Sequence, residues 1–442
     1  MITDDLGSLI ESFRYDSLPK DVIAAAKLHL LDYLAIAMAG YVLGRSEEVL
    51  DIYNIPGNCT VFGYGNQVDL HSAAIVNGFM AHSTWYDDGS RISGGHPSTA
   101  IFPALLALAE ARRSSGRDVI LAAVSGYEVF NRIGIVMYPA TVRHGFLPTG
   151  LLSPIASATA CAKLMALPEG GVAHAISIAT PLGAGLKSAF KGGDAQPIQI
   201  GRGSEAGLVS AMMAEKGLCG YSGNLDAFLT AHDHNQGVSI CCDDSMNYQI
   251  TNTYIKVHAG CRGNHAPLDV LFSLLKKHPL SAAEIDHVDV VVDTVTAANE
   301  IHNPRNRDDA QFNIPFCVAI AVIRGNALLP EFSDENVKDG QIQALMNRVN
   351  VIVDPELDKL LPNKRGSKVS IFTGKGEIFE GFTDIPEGEP EKPLSWEQVR
   401  DKFYGLSKTV LGEKMYKVAE TVEKLDQLDD IRELTKLLIK QS

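Results

Sequence analysis

Three things are scarce in this chain, and each scarcity narrows what it does. Cysteine is one: there are 7 in 442 residues, scattered, with Cys241 and Cys242 adjacent and no Cys-x-x-Cys spacing. That pattern excludes a disulfide framework and a structural zinc site, and it fits the reduced thiols of a cytosolic protein. Basic charge is the second: 39 Lys and Arg against 53 Asp and Glu leave a net charge of −14. A general nucleic-acid or anionic-membrane binder is argued against, although a local field can still receive a small anion. Long uninterrupted apolar runs are the third. The least polar, Gly150 to Leu167, contains Lys163, Ser153, Pro154 and Thr159 and reads as a core helix rather than a membrane span. The opening MITDDLGSLIESF is acidic and lacks the basic-then-apolar order of a secretory signal, so a cytoplasmic location is expected.

What remains is ordinary soluble material, 45% hydrophobic and 21% charged, long enough for two or three domains. Apolar residues recur at helical spacing up to about residue 280, with helices expected over Asp21 to Ala39 (ended by Gly40) and Asp118 to Val136. The texture then changes. HVDVVVD (His287 to Asp293), RVNVIV (Arg348 to Val353) and the hairpin KVSIFTGKGEIFEGF (Lys368 to Phe382) read as antiparallel strands, with a helix over Phe316 to Ile323. Helical periodicity returns from Trp396, notably over Met415 to Ile439. The expectation is a mainly α protein: a large all-helical domain from residues 1–265 and 394–442, plus a smaller α+β domain from 266–393. The run IPEGEPEKP (Ile385 to Pro393) marks the boundary.

The chemistry concentrates in Val76 to Ala111. An apolar helix opens into a loop with Asp87, Asp88, Ser90, Arg91 and His96 among Gly89, Gly94 and Gly95. A second helix follows, with Ser98 or Thr99 as the expected N-cap. Glycines admit close backbone approach, and a fresh helix N-terminus favours an anion. A capped loop with a solvated charge cluster is the competing reading. Residues 139–167 repeat the plan, with Arg143 and His144 before Pro148-Thr149-Gly150. Those two residues either bind a carboxylate or lie on a solvated loop. Lys187 to Gln199 reads as a loop carrying Lys191 and Gln196. Gly201-Arg202-Gly203-Ser204 fits neither nucleotide-binding fingerprint, so no nucleotide site is expected. His232-Asp233-His234 lacks a third ligand at recognisable spacing and reads as a solvated loop. In YIKVHAGCRGNHAPLD (Tyr254 to Asp269), Lys256, His258, Cys261, Arg262 and His265 supply bases and carboxylate clamps, and make a poor zinc set.

Taken in order, LLDYLAIAMAG, NGFMAHSTWYDDG with HPSTAIFPALLALAEA, GYEVFNRIG and RHGFLPTGLLSPIASATACAKLMAL resemble one known family. QPIQIGRGSEAGLVSAMM, IKVHAGCRGNHAPLD and AQFNIPFCVAIAVIRG continue the likeness. It is the superfamily of 2-methylcitrate dehydratase, cis-aconitate decarboxylase and iminodisuccinate epimerase (MmgE/PrpD). The resemblance implies a helical domain built from both chain ends, an α+β lid domain, an active site between them and a homodimer. By the same resemblance His96, Lys256, Asp87 and Asp88 match family site positions. Five others differ: the family's first aspartate falls at Trp85, its threonine at Gly89, its histidine at Leu147, its lysine at Gln196 and its tyrosine at Phe316.

The expectation that follows is a cofactor-independent lyase or isomerase acting on a small organic acid, by dehydration, decarboxylation or epimerisation. His96, Lys256 and Cys261 are its candidate catalytic groups, with Cys261 equally readable as a structural thiol. Asp87, Asp88, Arg143, His144, Gln196, Arg262 and His265 are the candidates for holding substrate. No metal and no nucleic-acid or membrane partner are expected. The alternative is a catalytically altered family member serving as a binding or assembly protein. The lost His, Lys and Tyr favour a less charged or smaller substrate than a tricarboxylate, with His144 and Lys191 as near-sequence substitutes.

Overall fold

The computed structural model describes residues 1–191, 193–232, 240 and 247–440. Asp233, His234, Cys241 and Cys242 therefore lie outside the described residues. Two compact units are present: Met1–Thr253 with Ser395–Ser442, and Tyr254–Leu394.

The first unit opens with helix α1 (Ile2–Ser12) and the long α2 (Lys20–Val42). A small antiparallel pair follows, β1 (Pro56–Thr60) with β2 (Gln67–Val68). Then come α3 (Leu70–His82), α4 (Pro97–Arg112), α5 (Gly116–Met137), α6 (Pro148–Leu164), α7 (Gly171–Ala179) and α8 (Ala195–Glu215). Their starts follow from the sequence: Asp69 accepts from the His71 and Ser72 N–H groups to cap α3, and Ser115 with Asp118 forms a capping box on α5. The N-cap of α4 is His96 rather than Ser98 or Thr99, because Pro97 is pre-set for the first helical position.

Helices α3, α4 and α6 are buried almost all round. They are core helices, and their small residues bring backbones together. Here lies the main departure from the expected elements. Gly40 does not end α2: a Cβ there would sit 2.1 Å from the Met80 carbonyl oxygen, so the glycine is a crossing point with α3. Gly201 and Gly203 likewise sit inside α8, where Cβ atoms would meet the Ile75 carbonyl oxygen at 2.6 Å and Ser153 Cβ at 2.7 Å. Gln196 is thus helical, not in a loop. Ser125-Gly126 does not break α5, since Gly126 faces Ile101 and Ala160. Helices α2 and α5 are long and apolar enough to cross a membrane, but their apolar windows are 72% and 83% buried within the protein.

The second unit contains α9 (His265–Lys277), β3 (Ile285–Val292), α10 (Ile314–Arg324), β4 (Val349–Val353), β5 (Ser367–Thr373) and β6 (Ile378–Thr383). The sheet order is β4-β3-β5-β6. The β5–β6 hairpin forms as the sequence reads, with Phe372 opposite Ile378, but β3 and β4 pair in parallel rather than antiparallel. The connection between those two strands contains α10, the crossover that parallel neighbours require. The unit begins at Tyr254, upstream of the boundary expected at residue 265. The reason lies in the backbone: Ile255 N–H donates to Gly388, Ala259 to Ala327 and Cys261 to Gln311.

The chain then returns to the first unit as α11 (Trp396–Leu411) and α12 (Lys414–Glu423). Ser395 and Gln398 form a capping box that starts α11 close to the Pro/Glu-rich run. Beyond α12 the expected long helix is broken into the short turns Leu425–Gln427 and Arg432–Thr435. Helix α11 packs along α2, and Lys402 Nζ lies 2.7 Å from Asp32 Oδ1 with both side chains buried.

Candidate functional site

The loop between α3 and α4 builds a histidine–carboxylate cluster in the first unit. His82 closes α3, and its Nδ1 lies 2.7 Å from Asp87 Oδ2. Thr99 Oγ donates to the same oxygen at 3.1 Å, while Asp87 Oδ1 lies 3.6 Å from His96 Nδ1. Asp87 is 1% exposed, so one buried carboxylate is flanked by two imidazoles. His96 Nδ1 is 2.5 Å from the Asp88 carbonyl oxygen. A carbonyl only accepts, so Nδ1 carries a proton. The His96 side chain is 22% exposed, the most accessible of this group.

Asp88 stands behind the cluster. Its Oδ1 accepts from the Ser98 N–H at 3.0 Å and its Oδ2 from the Tyr127 hydroxyl at 2.7 Å, with His29 Nδ1 at 3.0 Å. Burial and the Asp88 charge push the Tyr127 hydroxyl well above its ordinary value, so it stays a donor. Next to these lies the Asp32–Lys402 pair. Burial raises the Asp32 carboxyl, and the Lys402 ammonium opposes that rise. Lys402 also donates to the Tyr86 carbonyl oxygen at 3.1 Å and lies 3.7 Å over the Tyr86 ring. Trp85, one residue earlier, sits at φ 54°, in the left-handed region that costs a tryptophan on the order of 1–3 kcal/mol. Its ring meets His82 at 5.4 Å.

Gln196, in the first turn of α8, is 5% exposed, and its Nε2 lies 3.2 Å from His82 Nε2. Arg143 and His144 stand exposed at the end of a short turn, Ala140–Arg143.

The second unit carries the other candidates. Lys256 is buried at 3% exposure and Cys261 is a half-buried free thiol. His258 Nε2 lies 3.0 Å from Asp269 Oδ1. Phe316 is buried in the first turn of α10, beneath the Asn313 cap that accepts its N–H at 2.6 Å.

Three of the expected substrate-holding residues are engaged by partners within the protein. Asp88 is fully buried, with Ser98, Tyr127 and His29 on its two oxygens. Arg262 gives Nε and Nη2 to Glu389 Oε1 at 3.1 and 2.7 Å, and its guanidinium lies 4.2 Å over Tyr254. A buried guanidinium so matched has no face to offer a ligand. His265 is fully buried; its Nε2 accepts from the His258 N–H at 3.3 Å and its Nδ1 faces the Cys261 carbonyl at 3.3 Å. Burial, joined by Arg262, His258 and Lys256, holds it neutral with its proton affinity well below the ordinary histidine value. Asp87 lies between the His82 and His96 imidazoles.

The sequence reading did not single out His82, Tyr127 or Lys402, and it took His29, beside Asp32 in its helix, for a packed or surface residue rather than a ligand. The signal was a polar or ionisable residue on an otherwise apolar helix, which is costly unless partnered. Among the described residues, no group of three or more His, Cys, Asp or Glu is arranged to hold a metal ion.

The first unit thus carries a buried histidine–carboxylate cluster, and the second, taken by itself, a buried lysine and a half-buried thiol. The chain belongs to the MmgE/PrpD family: the N-terminal domain of that family matches residues 4–229 and its C-terminal domain residues 258–427. Among similar proteins, a cis-aconitate decarboxylase-like protein of Aspergillus oryzae is 26% identical, over 99% of this chain and 97% of its own. The cis-aconitate decarboxylase of Aspergillus terreus is 26% identical over 99% and 96%, and that of Homo sapiens 27% over 99% and 94%.

Proposed function

We propose that this protein is a lyase-like enzyme that moves a proton next to a carboxylate of a small organic acid. Family membership and relatives named as cis-aconitate decarboxylases support the lyase class. The observation that carries the chemistry is His96, the most accessible ring of the cluster, whose Nδ1 lies 2.5 Å from the Asp88 carbonyl oxygen and 3.6 Å from Asp87 Oδ1. Asp87, lying between the two rings, favours the imidazolium that results. Lys256, matched through the family resemblance, is the second proton-transfer group in this reading, and Cys261 a further candidate. A homodimer and a cytoplasmic setting belong to the same proposal, as does chemistry without a cofactor. Dehydration, decarboxylation and epimerisation all begin with such a proton transfer, and the products distinguish them.

Proton NMR in deuterium oxide with malate, citrate, cis-aconitate, tartrate and aspartate-derived acids tests this. Deuterium entering next to a carboxylate, abolished in His96→Ala and in Lys256→Ala, is the expected result. A new alkene signal identifies elimination, and loss of optical activity identifies epimerisation. Turnover indifferent to both variants overturns the assignment.

A further inference from the structure

Tyr127 is a buried ionisable group that the proposed chemistry does not use. Its side chain has 0% exposure in the middle of α5, where a polar atom needs a partner. The residue before it, Gly126, sets its place. A Cβ there would lie 3.1 Å from Ile101 of α4 and from Ala160 of α6, so α5 runs close against both helices. The Tyr127 ring centroid then lies 5.3 Å from that of His29 on α2 and 6.1 Å from that of Phe102 on α4. Its hydroxyl donates to Asp88 Oδ2 at 2.7 Å, and burial with the Asp88 charge keeps the phenol protonated.

Asp88 has work at both ends. Its carboxylate is pegged to the helical frame: Oδ1 accepts the Ser98 N–H at 3.0 Å and Oδ2 takes the Tyr127 hydroxyl. His29 Nδ1 lies 3.0 Å from Oδ2 without hydrogen-bond alignment. Its backbone carbonyl accepts from His96 Nδ1 at 2.5 Å. Among the described residues, Asp88 makes no backbone–backbone hydrogen bond, so its side chain fixes the point from which that carbonyl meets the imidazole. Ser98 belongs to the helix that His96 itself caps. Of the two donors, only Tyr127 ties the loop to a different helix.

We infer that Tyr127 is a positioning residue for His96: its hydroxyl holds the Asp88 carboxylate, the Asp88 carbonyl holds His96 Nδ1, and the ring presents Nε2. Tyr127 acts through Asp88 and touches no reacting atom. The inference rests on the reading of His96 as a proton-transfer group and adds what decides which of its nitrogens is offered.

Alkylation with iodoacetate tests it, because carboxymethyl groups on Nδ1 and on Nε2 give isomers that chromatography of the His96 peptide separates. In the wild type the Nε2 isomer is expected to exceed the other by about tenfold or more, the preference that one good hydrogen bond supplies. Tyr127→Phe lowers that ratio about tenfold while His96 stays reactive. Tyr33→Phe is the matched control. Tyr33 is equally buried and meets Phe102 at 5.4 Å, but its hydroxyl has no hydrogen-bond partner among the described residues, so the ratio is expected to stay as it was. Asp88→Asn keeps the peg, with Oδ1 accepting the Ser98 N–H and the amide donating to the Tyr127 oxygen, so the Nε2 preference survives. That variant is also the readout where Tyr127→Phe fails to fold. No alkylation of His96, no Nε2 preference in the wild type, an unchanged ratio in Tyr127→Phe, an equal fall in Tyr33→Phe, or a lost preference in Asp88→Asn each overturns the inference. Alkylation needs no turnover, so nitrogen selectivity without deuterium exchange sinks the enzyme reading alone. Exchange without selectivity sinks only this one.

Discussion

His82 Nδ1 and Asp87 Oδ2 lie 2.7 Å apart, both side chains about 1% exposed, with Gln196 on the far nitrogen of the ring. This is an imidazole whose orientation is fixed from both ends. His96, on the same carboxylate, is the more accessible ring, its side chain 22% exposed.

Replacing that carboxylate separates geometry from charge. Asp87→Asn keeps the shape but withdraws the negative charge between the two rings. Turnover is expected to fall by about a hundredfold or more, with KM changing much less. Steady-state kinetics on the substrate identified by exchange measures both; an equal rise in KM at constant kcat contradicts it.

The Asp32–Lys402 pair is expected to behave as a buried ion pair. Lys402→Met strands a carboxylate with 0% exposure, at a cost of about 3–5 kcal/mol. The double variant with Asp32→Asn recovers most of that loss, because both charges are then gone. Urea unfolding of the two variants decides; a double variant no better than the single one refutes the pairing.

Gly201→Ala places a Cβ 2.6 Å from the Ile75 carbonyl oxygen, a backbone atom that cannot rotate away. A stability loss of about 1–3 kcal/mol is expected. The same displacement moves α8 off α3, so Gln196 loses its contact with His82. Calorimetric melting of the variant beside the wild type tests the loss, and an unchanged melting temperature contradicts it.

His265 makes stability depend on pH. Its folded proton affinity is depressed, so near neutrality the folded and unfolded states are both unprotonated and the full stability is present. As pH falls below the unfolded value of about 6.5, the unfolded chain binds a proton that the folded protein refuses. Stability then declines by up to about 1.4 kcal/mol per pH unit from this group. His265→Gln is expected to flatten that part of the denaturation midpoint between pH 5 and 7. An unchanged slope would mean that other groups set it.

The sequence showed the class of fold because helical and strand periodicities are local, and the change of texture near residue 280 is abrupt. It misread Gly40 as a helix stop and gave no sign that Gly201 and Gly203 lie inside a helix. A glycine that ends a helix and one that admits a neighbouring backbone look alike until the neighbour is known, and here the neighbours are Met80, Ile75 and Ser153. Of the site candidates, His96, Asp87 and Gln196 lie together in one cluster, a grouping that their places along the chain only partly suggest, whereas Arg262 and His265 are engaged by Glu389, Tyr254 and two backbone groups that the sequence does not reveal. His29, Asp32 and Lys402 stayed hidden because their pairings join segments far apart in the chain.

That last pairing also bears on how the molecule is made. Asp32 emerges from the ribosome early, while its ammonium partner arrives only after the whole α+β unit has been synthesised. Until then the nascent helical layer holds a carboxylate with no counter-charge, a reason for it to remain loose or to lean on a chaperone. Completion of the chain is the event that locks it.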